Sequence, residues 1–289
     1  MSYVFGVDGG GTGCRVGLAD QQGHILSRCT GGPANIETSF SEAENNIVAT
    51  CKKALIKASL SEGLLYDSYA VLGLAGSNMG DFDKKLTKRL PFKKNLIVND
   101  SAITLEGAIG PSDGCIAAIG TGSVYIGRAN GTVKQIGGWG FTLGDDGSGA
   151  KLGQNLLRTA IRCEEKLQKH SALTVQLMSE FDNKIINLVK ASYDFKPKDF
   201  SNYAPLVFNF HLKGDENAEE ILRSEVEIIE KSIVSAGFNK SYPFCLLGGL
   251  GTFYKPLIHS DFSDYLVEPL GDPVQGAINM CIKEYFKDR

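Results

Sequence analysis

FGVDGGGTGCRVGLAD, residues 5–20, starts as a strand, breaks at GGGTG and resumes as a strand in RVGLAD. Another apolar run, HILSRCT (24–30), follows the turn QQG at 21–23, so the pattern predicts an antiparallel hairpin. A glycine-rich break after a strand can hold phosphate, because a backbone without side chains comes close to the oxygens. Two familiar phosphate loops are excluded by spelling. A P-loop needs Gly-Lys before Ser or Thr, and Gly-Lys occurs nowhere in the chain. The dinucleotide fingerprint would need glycine where Cys14 or Val16 stands, and its loop leads into a helix, whereas this one leads into a strand.

The same plan returns at CIAAIGTGSVYIGRANGTVKQIGG (115–138), where a strand meets the tip GTGS and turns into a second strand, with Asn130-Gly131 as a further hairpin turn. Two such hairpins, each opening one half of the chain, predict a duplicated α/β unit. FCLLGGLGT (244–252) adds a third strand that breaks into glycines. Between these marks, AVLGLAG (70–76) and NLIVND (95–100) read as buried strands, and 101–109 as a helix start. Two overlapping capping boxes, Ser39 with Glu42 and Ser41 with Glu44, precede a helical stripe of Ile47, Cys51, Ala54, Leu55 and Ala58. Helices are expected over much of 148–192, over 216–236 with a core stripe of Ile221, Leu222, Val226, Ile229 and Ile233, and after Pro273.

The chain has 289 residues, 43% hydrophobic and 22% charged, with a formal net charge of −3, which suits a soluble globular protein and argues against nucleic acid as a partner. No secretory leader and no membrane-spanning stretch are read from it, so a cytoplasmic location is expected. Seven scattered cysteines fit reduced, inert thiols better than disulfides or a zinc site, and the four histidines are equally dispersed.

Three glycine loops, at 8–13, 120–123 and 247–251, can enclose one nucleotide between two lobes. The hydroxyls of Thr12, Thr121 and Ser123 add donors, and Asp8 can hold magnesium directly or through water. Asp100 stands at a strand's C-terminal end, where α/β sheets place chemistry. A carboxylate there can take the proton of an attacking hydroxyl, or it can cap the helix at Ser101. Asp145 and Asp146 lie among glycines in GGWGFTLGDDGSG; aspartates grip paired hydroxyls, and an indole such as Trp139 covers an apolar sugar face or fills a core. Asp146 can also cap a helix near Ser148, and Asn35 alone reads as a turn residue.

In GVDGGGT (6–12), AIGTGS (118–123) and LLGGLG (246–251) the chain resembles the sugar-kinase, Hsp70 and actin superfamily. In VNDSAITLEGA (98–108), GGWGFTLGDDGSGAKLG (137–153) and GDPVQGA (271–277) it is similar to the N-acetylglucosamine and glucosamine kinase group, placed with the BadF/BadG-type ATPases. The resemblance implies a duplicated ribonuclease H-like, actin-like ATPase fold: two lobes with a cleft between them. The lobes would be 1–113 and 114–289, with the last helix free to pack back on the N-terminal lobe. It implies ATP and Mg2+ as cofactors and a sugar as substrate. Gly10, Gly11, Thr12, Gly120, Thr121, Gly122 and Ser123 would hold phosphates, with Gly248 and Gly249 near adenosine and Asp8 at the metal. Asp100 would be the base, and Asn35, Gly138, Trp139, Gly140 and Asp145 would bind sugar. A homodimer is expected by resemblance alone.

N-acetylglucosamine is the expected substrate, phosphorylated on its 6-hydroxyl. Glucosamine is the nearest alternative, since it differs by an acetyl group and an ammonium charge, and N-acetylmuramate is also conceivable. A more distant alternative is the iron–sulfur ATPase activator of dehydratases and reductases, which needs suitably placed cysteines; Cys115 is the one candidate. A sugar-binding transcription regulator would need a helix-turn-helix, for which the chain shows no room.

Overall fold

The computed structural model describes residues 2–77 and 81–286. The chain divides into two compact units, one made of 1–112 with 268–289 and the other of 113–267.

In the first unit β1 (Val4–Gly9), β2 (Cys14–Ala19) and β3 (Ile25–Gly31) form the antiparallel run expected from 5–30. Helix α1 (Phe40–Lys57) leads to β4 (Tyr69–Leu74), α2 (Phe82–Thr87) leads to β5 (Lys94–Val98), and α3 (Asp100–Ile109) follows. The sheet order is β3-β2-β1-β4-β5, with β4 and β5 parallel to β1 and its neighbour. Strand alternation sorts the residues of β1 between two cores. Phe5 and Val7 pack with Ile47, Cys51, Ala54 and Leu55 of α1. Val4 faces the other way, into a core shared with Ile103 of α3 and with Val274 and Ile278 of the C-terminal helix, Pro273–Phe286.

Glycine sets how close that helix comes. A Cβ on Gly6 would lie 2.5 Å from the Val274 carbonyl oxygen, and one on its cross-strand partner Gly17 would lie 2.6 Å from Val274 Cγ1. The C-terminal helix crosses α3 at Gly107 and Gly276, where added Cβ atoms would meet backbone at 2.3 and 2.0 Å.

The two capping boxes do not form. Ser39 is the N-cap of α1, yet its side chain makes no capping bond. The Asn35 side-chain oxygen already takes the Glu37 and Thr38 N–H groups just upstream, and Glu44 reaches across to Arg89 at 2.8 Å.

The second unit repeats the order. β6 (Gly114–Ile119), β7 (Ser123–Ala129), β8 (Thr132–Gly137) and β9 (Phe244–Leu247) stand as β8-β7-β6-β9, again two antiparallel pairings and then a parallel one. This is the duplicated α/β plan expected from the two hairpins. Between β8 and β9 come α4 (Gly149–Glu164), α5 (Ala172–Ser179), α6 (Ile185–Ser192), α7 (Pro197–Ser201), α8 (Ala204–His211) and α9 (Glu216–Ala236). The α9 stripe is core: Ile221, Leu222, Ile229 and Ile233 are buried and Val226 packs against them. A short helix, α10 (Gly251–Tyr254), opens from the third glycine loop. Among the described residues no helix is long and apolar enough to cross a membrane.

Candidate functional site

In the first unit the β1–β2 turn is closed by the Gly10 N–H donating to the Gly13 carbonyl at 2.9 Å. Its flanks are tied down by Ala34 N–H to Gly10 O and Ala75 N–H to Gly9 O, each 2.9 Å. Asp8, two residues before this turn, pairs across the sheet with Arg15, whose Nε donates to Oδ2 at 2.8 Å. Burial nevertheless raises the Asp8 carboxyl above its usual range; Arg15 opposes this and the charge of Asp272 adds to it. Asp272 and Arg28 form a second ion pair. Burial works against the Asp272 carboxylate, but the Gln275 N–H and the Arg28 guanidinium outweigh it and hold the group below the ordinary range.

Asp100 is the first residue of α3, not its cap. Asn99 is the N-cap, and its side-chain oxygen accepts the Ser101 N–H at 2.9 Å. The cap reading of Asp100 is thereby corrected: the residue before it has the extended backbone that a cap requires. The Asp100 carboxyl is raised first by burial and then by the charge of Asp8, while the Ser101 N–H pulls the other way. The charge of Asp8 is thus felt at Asp100. Asn35 is half-buried, and Gly76 would bring a Cβ within 2.9 Å of its Oδ1, so the turns after β3 and β4 meet there. The oxygen is used inside its own turn, which leaves the amide NH2 as the group Asn35 can offer.

In the second unit the β6–β7 tip is Gly120, Thr121 and Gly122, closed by Gly120 N–H to Gly122 O at 2.9 Å. The first N–H groups of α4 hold it: Gly149 donates to Gly120 O at 2.8 Å and Ala150 to Thr121 O at 3.2 Å. Ser123 serves the neighbouring turn. Its hydroxyl donates to Asp146 O at 2.7 Å, as does the Tyr125 hydroxyl. The Asp145 carboxyl is raised by burial, against the Ser123 and Gly140 N–H groups that hold it. Asp145 itself has φ +62°, a left-handed backbone uncommon outside glycine. Ser148, not Asp146, caps α4, accepting the Lys151 N–H at 3.2 Å. Trp139 is 81% exposed between Gly138 and Gly140, so it is not a core residue.

The predicted loop glycines fall into two kinds. A Cβ on Gly11, Gly120 or Gly249 would find nothing within 4 Å, and one on Gly10 only the Gly13 oxygen at 3.9 Å. None of the four has a positive φ, so neither packing nor backbone conformation of this chain asks for glycine there. Each loop thus holds a cradle that a Cβ would fill. Gly122 and Gly248 belong to the fold: their Cβ atoms would lie 2.9 Å from Asp145 Oδ2 and 2.3 Å from the Ile119 oxygen.

Sequence reasoning missed Arg15, Arg28 and Asp272 as a charge network around Asp8. The alternation of β2 gave a signal for Arg15, since cross-strand pairing to Asp8 follows from a hairpin register. Arg28 and Asp272 are 244 positions apart and gave none. Among the described residues no three or more His, Cys, Asp or Glu converge as a metal cage. Cys115 is 1% exposed and its thiol is pushed up to about 12 by burial, which suits an inert core thiol and not an interfacial cluster ligand.

The chain matches the model of the BadF/BadG/BcrA/BcrD ATPase family over residues 5–278. It is 27% identical over 279 residues to glucosamine kinase GspK of Vibrio cholerae, covering 96% of this chain and 95% of that protein. It is 28% identical to an N-acetylmuramic acid/N-acetylglucosamine kinase of Clostridium acetobutylicum, covering 77% and 75%. A solved structure from Chromobacterium violaceum, provisionally named an N-acetylglucosamine kinase, matches with a TM-score of 0.83 at 28% identity, covering 98% of this chain and 99% of that one.

Proposed function

Because the chain belongs to the BadF/BadG/BcrA/BcrD ATPase family, we propose that it is an ATP-dependent amino-sugar kinase acting on the 6-hydroxyl of N-acetylglucosamine. The observation that carries the reading is Asp100: a shielded carboxylate, released from helix capping by Asn99 and raised by burial and by Asp8. Raising a carboxyl toward the working pH makes it a better proton acceptor.

In the proposed reaction Asp100 takes the proton of the sugar hydroxyl as its oxygen forms a bond to the γ-phosphorus. The bond from that phosphorus to the bridging oxygen breaks in line, and ADP leaves. Gly11, Thr12, Thr121 and Gly122 bring backbone N–H groups and hydroxyls to the phosphates, while Gly10 and Gly120, whose N–H groups close the turns, leave room for the phosphates to approach. Gly249, with Gly248 shaping its turn, lets the adenosine approach. Asn35, Gly138, Trp139, Gly140 and Asp145 orient the sugar. Asp8 fits a magnesium ion in chemistry, as a hard oxygen donor beside open glycines. Among the described residues no cage of acidic, His or Cys side chains surrounds it; when bound, the ion would neutralise charge on the transferring phosphoryl group. A homodimer in the cytoplasm completes the reading.

Glucosamine is the second reading, favoured by the name of the Vibrio relative. The test is ADP release with Mg2+ and ATP against N-acetylglucosamine, glucosamine, N-acetylmuramate, glucose and no sugar, repeated with Asp100→Asn. Turnover with N-acetylglucosamine that falls about 100-fold or more in the variant is expected. Turnover with glucosamine alone would replace the sugar and keep the base. Sugar-independent hydrolysis untouched by Asp100→Asn would overturn the kinase reading.

A further inference from the structure

One buried acid of the second unit has no part in the chemistry above. Glu225, on α9, is 4% exposed. Its Oε2 accepts the Gly147 N–H at 2.8 Å, and its Oε1 accepts Asn155 Nδ2 of α4. Gly147 stands two residues after Asp145, and both have left-handed backbones, at φ +79° and +62°. A Cβ on Gly147 would strike Ile229 Cγ1 and the Tyr125 hydroxyl, each at 2.5 Å, so the turn is pressed between α9 and β7. Ser123 and Tyr125 hold the carbonyl oxygen of the Asp146–Gly147 peptide from the sheet side, and Glu225 holds the N–H of the same peptide from the helix side. A carboxylate hidden from water is a costly way to hold one peptide. A buried leucine would fill the same space without that cost, so packing alone does not account for an acid here.

We propose that Glu225 is a positioning residue for sugar binding: by fixing the Gly147 peptide it sets the left-handed turn that presents the Asp145 carboxylate to the substrate. The inference rests on the amino-sugar kinase reading. Glu225 touches neither sugar nor nucleotide and acts only through the turn. Its two bonds have separate jobs, since the one to Asn155 ties α4 to α9 and the one to Gly147 aims Asp145.

The test uses Glu225→Leu, Glu225→Asp, Glu225→Gln and Asn155→Ala in the full chain, with melting temperature, the KM of each substrate, kcat, and amide hydrogen exchange over 140–147. Glu225→Leu is expected to raise the sugar KM at least tenfold while the ATP KM stays within twofold, and to speed exchange over 140–147. Glu225→Asp, shorter by one methylene and safe for folding, is expected to do the same in weaker form. Glu225→Gln is expected to rescue both readouts, because its amide oxygen can take the Gly147 N–H while its NH2 meets Asn155 turned over. Asn155→Ala is expected to lower the melting temperature and leave the sugar KM within twofold. If Glu225→Leu and Glu225→Asp lower the melting temperature but leave sugar KM and exchange at wild-type values, Glu225 is structural only and the proposal is overturned. Equal rises in both KM values would also overturn it. Should the wild-type protein phosphorylate no amino sugar, the kinase reading falls, and hydrogen exchange alone decides whether Glu225 fixes the turn.

Discussion

In the first opening hairpin the residue two before Gly10 is Asp8, and its cross-strand partner is Arg15. In the second, the residue two before Gly120 is Ala118, and its partner is Val124. The strand order around the two positions is the same, β3-β2-β1-β4 against β8-β7-β6-β9. The open glycine at the tip is also repeated, as Gly11 and as Gly120. Among the positions at which the two hairpins differ, this register pair is charged in one unit and apolar in the other. Repeating a hairpin doubles a backbone geometry that suits phosphate; under the proposed function a carboxylate for the metal is needed once, and that single position supplies it.

Making the first hairpin like the second tests this most severely. Asp8→Ala is expected to lower kcat about 100-fold or more and to weaken the dependence on Mg2+, with the fold intact by circular dichroism. Full turnover in Asp8→Ala would mean that the charge difference has no chemical use. A pair of glycine variants separates cradle from packing. Gly276→Ala, which would place a Cβ 2.0 Å from the Ile103 oxygen, should cost roughly 1–3 kcal/mol or more of stability. Gly11→Ala or Gly120→Ala should leave the melting temperature near wild type and raise the ATP KM instead. Asn99→Ala should cost about 1 kcal/mol, the usual loss for a cap, in denaturant titration.

The smallest effect is on Asp100 itself. Its carboxyl is raised in the folded state, so folding binds its proton more tightly than the unfolded chain does. Stability from this group is full below the unfolded value of 3.8 and is lost as pH rises through the higher folded value. Asp100→Asn removes that loss. It should raise the melting temperature at pH 7, and the gain should vanish as pH falls below the unfolded value. A variant that is less stable at pH 7 would show that the carboxylate is held by contacts stronger than its burial.

The order of strands and the three glycine loops were legible because both depend on local spelling: alternation, a break at small residues, alternation again. The division of labour within a loop was not. Gly248 and Gly249 are adjacent and alike in sequence, yet one is fixed by the Ile119 carbonyl and the other faces open space. Asn99 and Asp100 cap helices about equally well by preference, and only the backbone at 99 shows which of them does so. Ser123 reads as a phosphate donor until its hydroxyl is found on Asp146, 23 positions on. Glu225 lies on the apolar face of α9, four residues after Ile221 and four before Ile229, so its burial was legible from the stripe, but its partner, 78 positions away, was not. Long-range partners of polar groups leave no trace in hydrophobic periodicity.

The first unit is closed by residues that lie beyond the whole of the second, since the face of its sheet carrying Val4 and Val71 is covered by Val274, Ala277, Ile278 and Cys281. On the ribosome this fixes an order of events. Residues 113–267 are all made before 273–286, so the second unit can fold on the nascent chain while the first still shows bare apolar surface. That exposed sheet face is a natural target for chaperones during synthesis, and the completed first unit is a late product of translation although its strands are made first.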